Sequence, residues 1–354
     1  MNRLPTTLSD FESAAREVLE AGTYGYIAGG AMDEWTLVEN VAAWRRIPIV
    51  PRMLTGAVTP DTSTTVLGKL LPHPLVVAPM AYQRIATPDG EIAMAQAAAA
   101  TGTTLCLSVF STVDAPEVAA AVPEVTRWFQ VYVFTDRGAT RHLIEAALAA
   151  GYEALVVTVD SPIPGVRDRE VRSAYAVNAV VPAVSRGTDG GALPVAHVGR
   201  LMDAQLEWRD IADMASQYHV PVLVKGILAV DDAERAVAEG AAGVVVSNHG
   251  GRQLDGAPAT ATVVQAIAQA LAGSGDVLVD GGIRRGPDVF RAMAMGAAAV
   301  MVGRPLYWGL AVGGCAGAQR VLELLLSEFQ NSLILAGASA AKSLHQGSFL
   351  GIPR

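Results

Sequence analysis

The feature that most constrains this chain is a unit that recurs eight times from Leu75 onward. Each unit has a short β-branched run, a polar or glycine-rich end, and then a helix-sized stretch, often rich in alanine. The runs are LVVAPM (75–80), TTLCLS (103–108), WFQVYV (128–133), ALVVTVD (154–160), VPVLVKG (220–226), GVVVSNH (243–249), DVLVDGG (276–282) and AVMVGRP (299–305). Segments such as EIAMAQAAAATG and DDAERAVAEGAA separate them. Near-continuous apolar strands alternating with helices predict a parallel sheet covered on its outer face. Eight units favour a closed (β/α)₈ barrel, a TIM barrel. A doubly wound sheet needs fewer strands and a G-x-G-x-x-G turn after the first, which LVVAPMAYQ lacks.

The rest of the chain is arranged around this repeat as one domain. We place an N-terminal cap region at 1–74, the barrel at 75–315, and C-terminal helices and tail at 316–354. In the cap, Ser9-Asp10-Phe11-Glu12 has capping-box spacing, so a helix is expected from there to the glycines at Gly22 and Gly25. A second short helix is expected over Asp33 to Ala43. One interval breaks the rhythm: strand four ends near Asp160 and strand five begins near Val220. A long stretch without clear period at the end of a barrel strand predicts an active-site lid, placed at 170–210.

Composition narrows the function classes. Apolar residues make up 51% and charged residues 17%, so a sizeable core can be buried. The net charge of -8 argues against nucleic acid and anionic membrane surfaces, both of which need a basic face. Two isolated cysteines, Cys106 and Cys315, provide neither a disulfide framework nor a metal site. Cys106 sits in an apolar run and is read as a core thiol. No apolar run approaches the roughly 20 residues that span a bilayer, and the start MNRLPTTLSDFE lacks the apolar core of a signal peptide. A cytoplasmic location is expected.

In a (β/α)₈ barrel the active site lies at the carboxyl ends of the strands. Those ends present Pro79-Met80-Ala81, Ser108, Gln130 with Tyr132, Thr158 with Asp160, Lys225, Ser247 with His249, Asp280, and Gly303-Arg304. A desolvated ammonium needs a negative partner, and Asp160 and Asp280 are the candidates for Lys225. Asp160 in turn needs a donor, which His249 can supply. DGGIRRG and VGRP follow strands seven and eight, the usual phosphate site of this fold. There Gly281, Gly282, Gly286 and Gly303 allow close backbone approach, and Arg284 and Arg304 add fork-shaped donors for phosphate oxygens.

With these residues in place, the chain resembles the FMN-dependent 2-hydroxy-acid oxidase family of glycolate-, lactate- and mandelate-type enzymes. The resemblance rests on SNHGGRQLDGAPAT and extends through YGYIAGGAMDEWTLVEN, APMAYQ, FQVYVFTDR, TVDSP, VLVKG, DGGIRRG and VGRPLYW. It implies FMN as cofactor, a small 2-hydroxy acid and O2 as partners, and a homo-oligomer (tetramer or octamer). By matching motif, the flavin ring would meet Pro79, Met80, Ala81 and Ser108, with Gln130 and Thr158 on its pyrimidine side. Lys225 would sit beside N1 and the C2 carbonyl. Ser247 and Asp280 would meet the ribityl chain, with Gly281 and Gly282 beside it. Arg284, Gly303 and Arg304 would hold the phosphate. Arg252 and Tyr26 match the residues that hold the substrate carboxylate, with Arg167 beside them, and Tyr132 would bond its hydroxyl. His249 is the implied base, taking the hydroxyl proton as hydride leaves for flavin N5 or taking the α-proton instead. Asp160 would stabilise the resulting imidazolium.

Two positions depart from common family patterns, and a third bears on the electron acceptor. Phe110 stands where glycolate-type members carry tryptophan, which enlarges the pocket and favours an aromatic side chain. Val166 replaces a usual arginine, while Arg167 keeps the second one. Ala81 stands where some membrane-linked dehydrogenases have glycine, and it favours reoxidation by oxygen. The pattern is most similar to 4-hydroxymandelate oxidases. Competing readings are a dehydrogenase with another acceptor, a lactate- or glycolate-type oxidase, and a decarboxylating monooxygenase. More distant ones are a Schiff-base lyase using Lys225 and a non-catalytic binder of phosphorylated ligands.

Overall fold

The structure is a computed structural model that describes residues 4–177, 179–185, 201–346 and 349–351. Ten strands are present among the described residues. Two form a small hairpin, β1 (Thr64–Val66) and β2 (Lys69–Leu71). The other eight are β3 (Leu75–Val77), β4 (Thr104–Ser108), β5 (Arg127–Val131), β6 (Leu155–Thr158), β7 (Val222–Ile227), β8 (Gly243–Val246), β9 (Asp276–Val279) and β10 (Ala299–Val302). They pair in chain order, all parallel, and β10 closes on β3 through Val300–Leu75, Met301–Val76 and Val302–Val77. The expected barrel is therefore present, with every strand where its apolar run lies.

Because side chains alternate along a strand, each strand has two different jobs. One parity, including Leu75, Leu105, Phe129, Leu155, Val222, Val244, Val277 and Val300, faces the surrounding helices. The other parity packs inside as a separate cluster of Val76, Cys106, Trp128, Val156, Leu223, Val245, Leu278 and Met301. The hairpin joins this inner cluster through Val66 and Leu71, plugging the amino-terminal end of the barrel. Cys106 is a fully buried inner residue, as expected of a core thiol.

The hairpin was not legible in the sequence. Its strands are three residues long, too short to show a period. Its turn is made by Leu67 (φ +51°) and Gly68 (φ +74°). Two positive φ values in sequence give the twist that a tight hairpin needs.

The cap also differs from expectation. Helix α1 runs Leu8–Val18, and its capping box is built by Thr7 and Asp10, two residues ahead of the Ser9 box read from the sequence. The glycines at 22 and 25 do not end it; they lie inside a further helix, α2 (Ala21–Ala28). Gly22 is needed there because a Cβ would stand 2.3 Å from the Tyr175 ring. Helix α3 is Trp35–Arg45, starting later than Asp33 because Glu34 is left-handed (φ +64°).

After β10 comes a long helix, Arg304–Ala336, bent where Gly313 and Gly314 leave helical geometry. Its length and hydropathy would suffice to cross a bilayer, yet it lies along the barrel against α1 and the Gly90–Thr101 helix. Tight inner packing sets the cost of cavities. Leu223→Ala, at a fully buried inner position, should lower unfolding free energy by about 2–5 kcal/mol in chemical denaturation. A loss below about 1 kcal/mol would contradict a close-packed barrel interior.

Candidate active site

At the carboxyl ends of the strands the barrel opens into a cavity of about 580 Å³. Gly286, read from the sequence as part of the phosphate turn, lies outside the cavity: its N–H donates to Glu328 Oε2 at 2.9 Å, and a Cβ on it would stand 2.1 Å from Phe329 N, so it is a packing glycine. Of the other site residues named from the sequence, all but Asp160 and Ser247 line the cavity. Those two stand directly behind the wall and hold residues that do. Asp160 lies against His249, and Ser247 lies beneath Lys225. Ser247 is thus a support for the lysine.

His249 follows β8 in a left-handed conformation (φ +57°), which costs a non-glycine residue about 1–2 kcal/mol. Several bonds hold it there. Its N–H donates to Ser247 Oγ at 3.0 Å, and its Nδ1 lies 2.8 Å from Asp160 Oδ1. Since an ionised carboxylate only accepts, Nδ1 carries the proton and Nε2 keeps its lone pair. That Nε2 is 3.4 Å from the Tyr132 hydroxyl. Burial lowers the His249 pKa below its ordinary 6.5, against the opposing pull of Asp160, so the ring is neutral at neutral pH. Burial would raise the Asp160 carboxyl, but the adjacent His249 ring and Lys225 bring it below its usual value. A neutral imidazole with an ionised carboxylate behind it is what a general base requires.

The loop is anchored from two sides. Asn248 and Asn40 of α3 exchange a reciprocal pair of hydrogen bonds, each Nδ2 donating to the other's Oδ1 at 2.8 Å. Gly251 (φ +75°) packs so closely on α3 that a Cβ would meet Leu37 N at 2.6 Å. Gln253 donates to the carbonyls of Asp160 (3.0 Å) and Ile163 (3.2 Å), tying this loop to the one after β6.

Lower in the cavity, Lys225 donates to Ser247 Oγ at 2.8 Å and pairs with Asp280 Oδ2 at 3.0 Å. Burial alone would lower its pKa, but Asp280 and then Asp160 raise it above the normal lysine value. The amine is charged and is no nucleophile, which removes the basis for a Schiff-base role. Beside it runs a chain of polar bonds: Ser108 Oγ donates to Gln130 Oε1 (3.0 Å) and Gln130 Nε2 to Thr158 Oγ1 (3.0 Å).

Under β9 and β10 the cavity becomes cationic. Arg284 and Arg304 are partly buried, and neither forms an ion pair with a carboxylate among the described residues. Arg284 lies over the Trp308 ring at 5.2 Å. Arg304 gives three bonds to the carbonyls of Ile27, Gly29 and Gly250, leaving two of its five N–H donors unused. Burial, with repulsion from Arg252 and Arg284, lowers the Arg304 pKa well below normal. Gly303 begins the Arg304–Ala336 helix, and a Cβ on it would meet nothing nearer than 3.7 Å. Packing within the protein therefore does not require glycine there. A helix start with bare backbone and unneutralised guanidinium groups is an anion site.

At the outer end lie Arg252, Arg167 and Tyr26. Arg252 Nη1 donates to the Tyr26 (2.6 Å) and Gly29 (3.1 Å) carbonyls, and its guanidinium lies 4.9 Å over the Tyr26 ring. Burial raises the Tyr26 pKa, so its hydroxyl stays a donor. One wall is aromatic. Phe110 stacks on Tyr132 at 5.1 Å and 22°, on Phe134 at 6.0 Å and on Tyr82 at 6.4 Å. Tyr132 stacks in turn on the His249 ring at 6.5 Å.

A family model described as FMN-dependent dehydrogenase matches residues 15–350. The chain belongs to this family. It is 42% identical to an L-lactate oxidase of Nostoc sp., covering 96% of each chain. It is 41% identical to human 2-hydroxyacid oxidase 1, covering 95% of this chain and 94% of the other. The solved structure of a mandelate oxidase superposes with a TM-score of 0.91 at 39% identity, covering 98% of each chain.

The cavity fits the FMN of this family. A dianionic phosphate suits Arg284, Arg304 and the Gly303 helix start. Asp280 Oδ1 is buried without a partner and would accept from a ribityl hydroxyl. Gln130, Thr158 and Lys225 would face the ring's polar edge, with Pro79, Met80 and Ala81 along its face. Gly281 and Gly282 complete the floor beside Asp280.

Some lining residues were missed from the sequence: Tyr82, Glu170, Tyr175 and Tyr307. Tyr307 follows Arg304 by less than a helical turn, and its hydroxyl donates to the Ala81 carbonyl. None of these lies at a barrel-strand end, so strand-end reasoning had no reason to select them. Asn248 and Gln253 stood inside the quoted SNHGGRQLDG motif, and their bonds were the missing information.

Two expectations follow from this geometry. Arg284→Met should weaken FMN binding about tenfold or more, while leaving the flavin-free protein at least as heat-stable, because a partly buried cation without a carboxylate partner is removed. Titration of stripped protein with FMN and calorimetry would check both. The rate of flavin reduction should rise with pH through a midpoint below 6.5, because only neutral His249 accepts a proton. Anaerobic stopped-flow measurements across pH test this, and a midpoint above 7 would exclude the assignment.

Proposed function

We propose that this chain oxidises a 2-hydroxy acid with an aromatic side chain, such as mandelate or 4-hydroxymandelate, to the 2-oxo acid, with dioxygen reduced to hydrogen peroxide. The (S) enantiomer is the expected substrate. The observation that carries the reading is the joining of three features around one cavity end. These are the His249–Asp160 pair, the Arg252 and Arg167 guanidinium groups gathered about Glu170, and the Phe110–Tyr132 aromatic wall.

FMN, when bound, supplies the two-electron acceptor for the α-carbon. The protein's share is position and electrostatics. Arg252, Arg167 and the Tyr26 hydroxyl would grip the carboxylate, since guanidinium groups fix the orientation of an acid through paired N–H bonds. Tyr132, kept protonated by burial, would bond the α-hydroxyl. His249 Nε2, its other nitrogen committed to Asp160, would take the proton, and Asp160 would hold the imidazolium that forms. Lys225 would place positive charge against the flavin edge.

An aromatic substrate ring would lie along the stacked wall, with offset or edge contacts worth about 0.5–1.5 kcal/mol beyond simple burial. A tryptophan at 110 would fill that space. Solved relatives bear the names of mandelate and lactate oxidases, so the names alone leave the side chain open.

The test is anaerobic mixing of the yellow protein with 4-hydroxymandelate, mandelate, lactate and glycolate, followed by admission of air. We expect the flavin band to bleach fastest with the aromatic acids and to return rapidly in air. Bleaching without return would replace oxygen by another acceptor. Bleaching by lactate or glycolate alone would overturn the aromatic assignment. Phe110→Trp should lower kcat/KM for mandelate about tenfold or more relative to lactate.

A further inference from the structure

We propose that Glu170 sets the charge selectivity of the acid-binding end, restricting it to acids that carry a single negative charge. The inference rests on the assignment of Arg252 and Arg167 as the carboxylate grip.

Two guanidinium groups at one end of a cavity would by themselves suit a dianion. Here one carboxylate is already built in. Glu170, on the short Asp168–Ser173 helix, lines the same cavity. Its Oε1 lies 3.2 Å from Arg167 Nη1 and 3.7 Å from Arg252 Nη2. Two cations and one anion leave a single positive charge at this end. All three side chains are mostly withdrawn from water, with exposures of 17% for Arg167, 14% for Arg252 and 21% for Glu170. Their charges are therefore weakly screened.

The pairing also leaves donors for a ligand. Arg167 Nε is buried without a partner. The 3.7 Å approach of Arg252 Nη2 is too long for a good hydrogen bond. Glu170 thus neutralises one guanidinium without using up the donors that a second carboxylate would take. A monoanionic acid brings the cluster to neutrality. A dianionic acid of similar size adds an excess negative charge facing Glu170 across a poorly screened gap.

Glu170 is held in place independently of substrate. The Arg169–Glu34 ion pair and the Met32 N–H bond to the Val166 carbonyl (2.9 Å) dock its helix and the turn before it onto the cap. Tyr175 adds a 3.0 Å bond to Thr23 on α2. The glutamate is thus part of a docked wall, opposite the strand-end groups that bear on the chemistry.

The test uses the FMN-loaded protein and binding of unreactive acids, read by perturbation of the flavin absorbance, so it does not depend on turnover or on the aromatic assignment. The probes are benzoate, a monoanion, and phthalate, its dianionic counterpart. In Glu170→Gln the ratio of phthalate to benzoate affinity should rise about tenfold or more, because a like charge beside the second carboxylate is removed. Glu170→Ala should move the ratio in the same direction, which guards against a local effect of the glutamine amide. An unchanged ratio in both variants would overturn the proposal. Equal tightening of both acids would also overturn it, since that is the behaviour of a carboxylate that merely occupies the substrate's place. If Arg252→Met left benzoate affinity unchanged, the carboxylate grip itself would fail, which is a separate result.

Discussion

Every second residue of the eight barrel strands faces the axis, and that alternation is what the active site depends on. Low in the barrel the inward parity is filled by Val76, Cys106, Trp128, Leu223 and Leu278. Two residues further along the same strands, the same parity delivers Ala78, Ser108, Gln130, Lys225 and Asp280. The inner core and the site are thus one stack of side chains with a change of chemistry partway up. A one-residue slip in β4, β5, β7 or β9 would turn Ser108, Gln130, Lys225 or Asp280 toward the surrounding helices and away from its partners.

The charges at the rim are arranged by burial. Lys225 remains charged because Asp280 and Asp160 outweigh its desolvation, whereas His249 becomes neutral because burial outweighs Asp160. Asp160 raises the pKa of both neighbours, yet the outcome differs because Lys225 has Asp280 as well and His249 has no second carboxylate beside it among the described residues. Among the described residues Arg284 and Arg304 have no carboxylate of their own, which is a destabilising arrangement in the absence of an anion. Binding of FMN phosphate would relieve it, so cofactor affinity and the instability of the empty site have one source.

The cap contributes more than a lid over the barrel end. Asn40 of α3 fixes Asn248 beside the base, Arg304 grips the carbonyls at the end of α2, and Arg252 does the same from the other side. Positions in three distant parts of the chain thus hold a left-handed histidine in one orientation. Such strain persists only where the surroundings over-determine it.

The barrel was legible because each strand is a buried apolar run bounded by glycine or polar residues, a pattern that survives without knowledge of neighbours. The strand ends were equally legible, which is why Lys225, His249, Asp280, Gly303 and Arg304 were named from the sequence. Short-range details were not. Thr7 rather than Ser9 caps α1, and Gly22 lies inside a helix because Tyr175 packs against it, a contact 153 positions away along the chain. The β1–β2 hairpin is too short to carry a period. The sequence by itself determined the number of barrel strands, their parallel order and the chemistry delivered to the rim, because those follow from local apolar runs and their ends. Only the tertiary structure decided that Asp280 rather than Asp160 pairs directly with Lys225, that Ser247 supports the lysine from behind, and that Glu170 faces the two arginines. Those outcomes depend on distances between segments far apart in the chain, which no local pattern encodes.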